Sequence, residues 1–99
     1  MYTQYKIEET TEILFRIVED VAIIDQLYVP QELRRTGVGT RMVRSLANSL
    51  VKNNAYVNHI EVLCTASSRI FWKKAGFHFK NGKYKSERMP IDCIALNER

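Results

Sequence analysis

A mixed α+β fold, strand–strand–strand–helix–strand–helix–strand–strand, follows from three features of the chain. Near the start, Ile13, Phe15 and Ile17 recur at the two-residue period of a strand with one well-buried face and one mixed face. From Gly37 to about Asn53 the apolar residues recur every three or four positions, the period of an amphipathic helix. The rest breaks into short apolar runs punctuated by single glycines and prolines. With 99 residues and 11.6 kDa there is room for one core, so residues 1–99 read as one domain.

Residues 3–9 and 12–19 read as two strands joined by a short turn; Ile13, Phe15 and Ile17 alternate with Leu14, Arg16 and Val18. Glu19-Asp20 breaks the pattern, and a third strand rich in β-branched residues runs from Val21 to Val29, stopping at Pro30. A polar loop, 31–36, leads to the helix, whose stripe is Val38, Met42, Val43, Leu46, Ala47, Leu50 and Val51; Asn53-Asn54 ends it. His59 to Cys64 forms a fourth strand. Ser67 or Ser68 caps a second helix running to Ala75, stopped by Gly76. Phe77–Phe79 and Ile91–Leu96 read as closing strands around an Asn81-Gly82 turn.

Composition excludes several classes. The apolar run Val21–Ile24 is far too short to span a bilayer, and the opening residues lack an apolar signal core. Cys64 and Cys93 are too few for a disulfide framework and too far apart for a metal site, and His59 and His78 have no ligand-spaced partner. A cytoplasmic protein with reduced thiols, no membrane contact and no metal is expected. The net charge of +4 hides a division. Residues 1–32 hold seven acids against two bases, a local −5; residues 33–99 hold thirteen bases against four acids, a local +9. The C-terminal two thirds are suited to an anionic ligand.

That ligand has an obvious seat. In Ile24-Asp-Gln-Leu-Tyr-Val-Pro-Gln-Glu-Leu-Arg-Arg-Thr-Gly-Val-Gly-Thr-Arg41 a strand ends, a glycine-bearing loop follows and a long helix begins. Free backbone N–H groups and the positive end of the helix dipole converge there, and glycines admit phosphate oxygens to the main chain. Arg34, Arg35 and Arg41 add counter-charge. No Lys-Ser/Thr follows the second glycine, as an ATP-binding P-loop requires, and Met42 stands where a dinucleotide fingerprint needs a small residue.

Arg-x-x-Gly-x-Gly behind Leu-Tyr-Val-Pro resembles motif A of the GNAT family of N-acetyltransferases. The stretch Ser68-Arg-Ile-Phe-Trp72-Lys-Lys-Ala-Gly76-Phe77 is similar to the family's motif B. Together the two cover residues from about 21 to 80. The resemblance implies acetyl-CoA as cofactor and transfer of an acetyl group to a primary amine. It implies that Leu27, Tyr28 and Val29 line the pantetheine arm, and that Arg34, Arg35, Thr36, Gly37, Val38, Gly39 and Thr40 form the pyrophosphate loop. Thr65 matches an Asn that contacts the cofactor arm. Asp25 and Glu61 are the candidate bases for the amine, with His59 a third option.

Two departures stand out. Trp72 occupies the place of a Tyr that protonates the departing thiolate; indole is not a usable acid, but its ring still suits the cofactor arm. Tyr28 and Tyr84 are substitute phenols. The family's first strand and two helices also have no counterpart, so a fold truncated at the N-terminus is expected. The acceptor groove is then open, or completed by a second copy of the chain in a homodimer, and suits a protein or peptide amine. An acyl-CoA-binding regulator without turnover is the alternative that Trp72 suggests. A third reading is RNA binding by Lys73 to Lys85, where bases and aromatic residues interleave. A sheet this small needs its aromatics for the core, and the match to an RNA-binding strand motif fails at several positions, so nucleic acid is not the expected partner.

Overall fold

The computed structural model describes residues 3–5, 11–53, 56–80 and 83–95. Its elements are β1 (Thr3–Tyr5), β2 (Glu12–Val18), β3 (Val21–Tyr28), α1 (Val38–Asn53), β4 (His59–Val62), α2 (Arg69–Lys74), β5 (Met89–Pro90) and α3 (Ile91–Ala95). Single 3-10 turns, Gln31–Leu33 and Ala66–Ser68, precede α1 and α2. The five strands form one mixed sheet in sequential order, antiparallel throughout except for the parallel β3–β4 pair. The class is the mixed α+β one expected.

Alternation along the strands sorts side chains onto two faces. Ile13 and Phe15 of β2, Ala22 and Ile24 of β3, and Ile60 and Val62 of β4 point to one side. There they join Met42, Val43, Leu46, Ala47 and Leu50 of α1, and Ile91, Ile94 and Ala95 of α3, in one core. The apolar stripe of α1 is therefore its buried stripe, apart from exposed Val51. Trp72 and Phe77 close the core at the α2 end, edge to face, with ring centroids 5.5 Å apart.

The C-terminal third differs from the expected pair of strands. Among the described residues Phe77–Phe79 pairs with no strand; Phe77 packs against Trp72 and its N–H donates to the Trp72 carbonyl at 3.1 Å. Met89–Pro90 forms the ladder with β4, Ser86 bonds to Val62 at its end, and Ile91–Ala95 is a helix. Ile91, Ile94 and Ala95 satisfy a three- and four-residue spacing as well as a strand's alternation, and burial against the core decides for the helix. The Asn81-Gly82 turn, Asn54, Leu96 and the proposed continuation of the first strand over 6–9 lie outside the described residues.

Two irregularities shape β3. Leu14 pairs with Gln26 but Phe15 pairs with Ile24, so Asp25 is an extra residue, a β-bulge. The pairing of β3 with β4 ends at Ile24–Val62, with one further bond from the Leu63 N–H to the Ile24 carbonyl at 2.9 Å, whereas β2 follows β3 as far as Tyr28. Past the bulge the parallel strands part company.

Candidate active site

A cleft of about 790 Å³ opens where β3 and β4 separate. That volume lies within the range of small-molecule and cofactor sites, about 300–1,000 Å³. One wall is the free edge of β3, residues Leu27, Tyr28 and Val29. Backbone groups alternate between a strand's two edges, so those on the side away from β2 face the cleft. The floor is the loop into α1, contributing Arg34, Arg35, Gly37, Gly39 and Thr40. The opposite wall comes from the turn before α2 and from α2 itself: Ser67, Ser68, Ile70, Phe71, Trp72 and Lys74.

The loop is built for close approach. Gly37 has φ +85 and Arg35 has φ +65, both left-handed, so the chain folds tightly before the helix. The Arg34 guanidinium donates to the Val29 carbonyl at 2.9 Å, tying the loop to the end of β3, and the Thr36 hydroxyl donates to the Leu33 carbonyl. The first bond of the helix runs from the Arg41 N–H to the Gly37 carbonyl at 3.0 Å. The N–H groups of Val38, Gly39 and Thr40 in the first turn thus have no carbonyl partner within the helix. With three exposed arginines, Arg34, Arg35 and Arg41, this is an anion seat without a carboxylate in its wall.

Nine of the twelve residues expected to contact the cofactor line this cleft: Leu27, Tyr28, Val29, Arg34, Arg35, Gly37, Gly39, Thr40 and Trp72. Thr36 is an exposed loop residue, and Val38 is buried in the first turn of α1. Thr65 does not line the cleft; its side chain and that of Ser68 form a capping box at the turn preceding α2. Trp72 is only 3 % exposed, is packed edge to face against Phe71 and Phe77, and is among the residues that line the cleft. Leu33, Ser67, Ser68, Ile70, Phe71 and Lys74 also line the cleft and were not anticipated as site residues. The helical spacing of Ile70 and Lys74, i and i+4, was the available signal.

The two candidate bases lie outside the cleft wall, on the sheet face away from the helices. Glu61 pairs in register with Ile23, is 4 % exposed, and has the Lys85 ammonium 3.8 Å from its Oε1. Asp25, the bulge residue, accepts from the Arg16 Nε at 3.3 Å. Both flank the point where β3 and β4 part. His59 pairs with Val21 at the other end of the β3–β4 ladder, its Nδ1 2.7 Å from Asn58 Oδ1 and 3.5 Å from Asp20 Oδ2. Three strand residues, about 10 Å, separate it from the split. Tyr28 is the one phenol of the cleft wall; Tyr84 does not line it.

Comparison with known proteins places this geometry. The acetyltransferase (GNAT) domain family matches residues 5–90. Among solved structures, Tetrahymena GCN5 superposes with a TM-score of 0.68 at 18% identity, covering 83% of this chain and 60% of that one. A mutant AtaT toxin bound to the C-terminus of the antitoxin AtaR and acetyl-CoA gives 0.65 at 15% identity, covering 98% and 59%. Ard1 from Thermoplasma volcanium gives 0.58 at 17% identity, covering 80% and 60%. The chain thus spans about 60% of the length of these structures. No curated protein sequence matches. A family match over residues 5–90, on a fold shared with GCN5, decides the assignment: the chain belongs to the GNAT acetyltransferase family.

Proposed function

We propose that the protein is an acetyl-CoA-dependent N-acetyltransferase acting on a primary amine of a protein or peptide. The observation that carries this reading is the parting of β3 and β4 after Ile24, which opens a cleft directly onto the first turn of α1. The residues present fit the cofactor. Gly37 allows the left-handed turn into α1, Gly39 lets the first turn of α1 pack against Phe71, the arginines supply counter-charge, and Ile70 and Phe71 offer apolar surface to a flexible arm. Bound acetyl-CoA supplies a thioester whose acyl carbon is open to attack by an amine.

The chain's own residues divide the remaining work. Backbone N–H groups on the free edge of Leu27–Val29 polarise the acyl oxygen, as an oxyanion hole does. Asp25 or Glu61, at the base of the split, takes the proton that the acceptor ammonium must lose before its amine can attack, directly or through water. Tyr28 takes the place of the missing acid at position 72 and returns a proton to the leaving thiolate. The free thiols of Cys64 and Cys93 suit a reducing cytoplasm. Among the described residues no helix is long and apolar enough to cross a membrane.

The test is release of free thiol from acetyl-CoA in the presence of lysine-bearing peptides. Release that saturates in peptide, and falls in Asp25→Asn or Glu61→Gln, supports the reading. A second reading, an acyl-CoA-binding regulator, rests on the burial of Trp72. Cofactor binding with no thiol release from any amine would favour it.

A further inference from the structure

The two candidate bases are paired with different kinds of cation. Asp25 Oδ2 lies 3.3 Å from the Arg16 Nε, and Glu61 Oε1 lies 3.8 Å from the Lys85 Nζ. A guanidinium stays protonated and is no nucleophile. A lysine side chain is a primary amine, the class of group that the proposed transfer acylates. Acceptor chemistry is therefore present in this chain itself, beside one of its own candidate bases.

Lys85 is held level with the opening of the split. It faces Leu63 across an antiparallel bridge, so both side chains stand on one face of the sheet, and alternation along β4 puts Glu61 on that same outer face. Glu61 lies one residue before the last β3–β4 pair, Ile24–Val62, and Leu63 one residue after it. The chain around Lys85 is tied to β4 on both sides. The Cys64 N–H donates to the Tyr84 carbonyl and the Ser86 N–H to the Val62 carbonyl, both at 2.9 Å. The hydroxyl of buried Ser86 also accepts from the Val62 N–H at 2.9 Å. The anchor is fixed, while the Lys85 side chain is 59 % exposed and its ammonium lies beyond hydrogen-bond distance of Glu61. Such a contact is readily broken, which lets the amine swing from the carboxylate toward the split.

We propose that Lys85 is an internal acceptor: with acetyl-CoA in the cleft, the chain acetylates its own Lys85 in an intramolecular step. The inference rests on the acetyl-transfer reading above. The Lys85 ammonium gives one proton to Glu61, directly or through a water, and the free amine attacks the acyl carbon held in the split. The C–N bond of the amide forms and the C–S bond of the thioester breaks. The second proton shed by the nitrogen ends on the departing thiolate, and Glu61 returns its own proton to water. Acetylation removes the positive charge that faces Glu61. Until then Lys85 occupies the place beside Glu61 that an external ammonium needs.

Peptide-mapping mass spectrometry of the full chain incubated with acetyl-CoA tests the assignment. Lys85 should gain one acetyl group well before the exposed Lys80 and Lys83. Its rate should be unchanged on about tenfold dilution of the protein, as an intramolecular step requires. Trace labelling of the chain by acetic anhydride, which needs no binding site, gives a readout without the cofactor: Lys85 should react no faster than Lys80 and Lys83. Glu61→Gln should slow the acetyl-CoA reaction at Lys85 by about a hundredfold or more. Lys85→Arg keeps a cation beside Glu61 and should lose the modification while keeping the rise in melting temperature that acetyl-CoA causes. Unfolding midpoints show that the variants are folded. A rise in melting temperature with Lys85 unmodified, or modified no faster than Lys80 and Lys83, would overturn the proposal and leave the cofactor site standing. A rate that falls with dilution, or an equal preference of acetic anhydride for Lys85, would overturn it too. No rise in melting temperature would remove the acetyl-transfer reading and this proposal with it.

Discussion

Gly39, in the first turn of α1, lies against the ring of Phe71 on α2: a Cβ built on Gly39 would be 3.1 Å from both Cε1 and Cζ of that ring. The contact joins the floor of the cleft to its far wall. Gly39→Ala must push the ring by a few tenths of an ångström. Overpacking of this kind typically costs about 1–3 kcal/mol. Denaturant unfolding of Gly39→Ala, Phe71→Leu and the double variant checks it. The double variant should recover part of the loss, giving a coupling above about 0.5 kcal/mol.

Gly37 serves for a different reason. A Cβ there meets only the Arg41 Nη1, at 3.6 Å, so there is space, but the backbone sits at φ +85. Gly37→Ala should therefore cost about 1–2 kcal/mol through the left-handed conformation alone. Gly37→Asn should cost less, because Asn tolerates that region. Equal losses for Ala and Asn in chemical denaturation would contradict this division of labour between the two glycines.

The β2–β3 turn holds a removable strain. Glu19 is left-handed at φ 56 in a two-residue turn closed by the Val18–Val21 pair. Glu19→Gly or Glu19→Asn should raise unfolding stability by about 0.5–1 kcal/mol, with no change in cofactor affinity. A lowered midpoint would show that the Glu19 side chain matters more than its backbone.

Tyr28 is 48 % exposed and is among the residues that line the cleft. Tyr28→Phe should leave the melting temperature within a degree or two of the parent. If the phenol is the thiolate's proton donor, turnover falls at least tenfold, about 1.4 kcal/mol of transition-state stabilisation, with acetyl-CoA affinity unchanged. Steady-state thiol release, read as separate kcat and KM values, checks it.

Legibility of the fold followed the strength of each local period. β2 and α1 were visible because Ile13/Phe15/Ile17 and the Met42–Leu50 stripe each match one period, and β3 because its run of β-branched residues stops at Pro30. Ile91–Ala95 matches both, and only packing on the core resolved it. Phe77 looked like the start of a strand because a buried aromatic after a glycine carries no period at all. At the site, the floor and the β3 wall were legible from glycines, arginines and a strand end. Of the α2 wall only Trp72 was legible, through motif B; Ile70, Phe71 and Lys74 carry no signal that separates a cleft wall from any other helix face. The bulge at Asp25 was invisible, since an extra residue leaves alternation on either side intact. That is why residue spacing alone could not settle which face carries the base.

The central claim is that the split between β3 and β4 with the α1 loop is an acetyl-CoA site, and thermal unfolding with and without acetyl-CoA tests it most directly. At one hundred times the dissociation constant the ligand adds about 2.7 kcal/mol of stability. For a domain of this size that raises the melting temperature by roughly 10–20 °C. Such a rise is expected for the parent chain, and a much smaller one when Arg34 and Arg41 are both replaced by Glu. An unchanged melting temperature at millimolar acetyl-CoA, or an undiminished rise in the double variant, would contradict it.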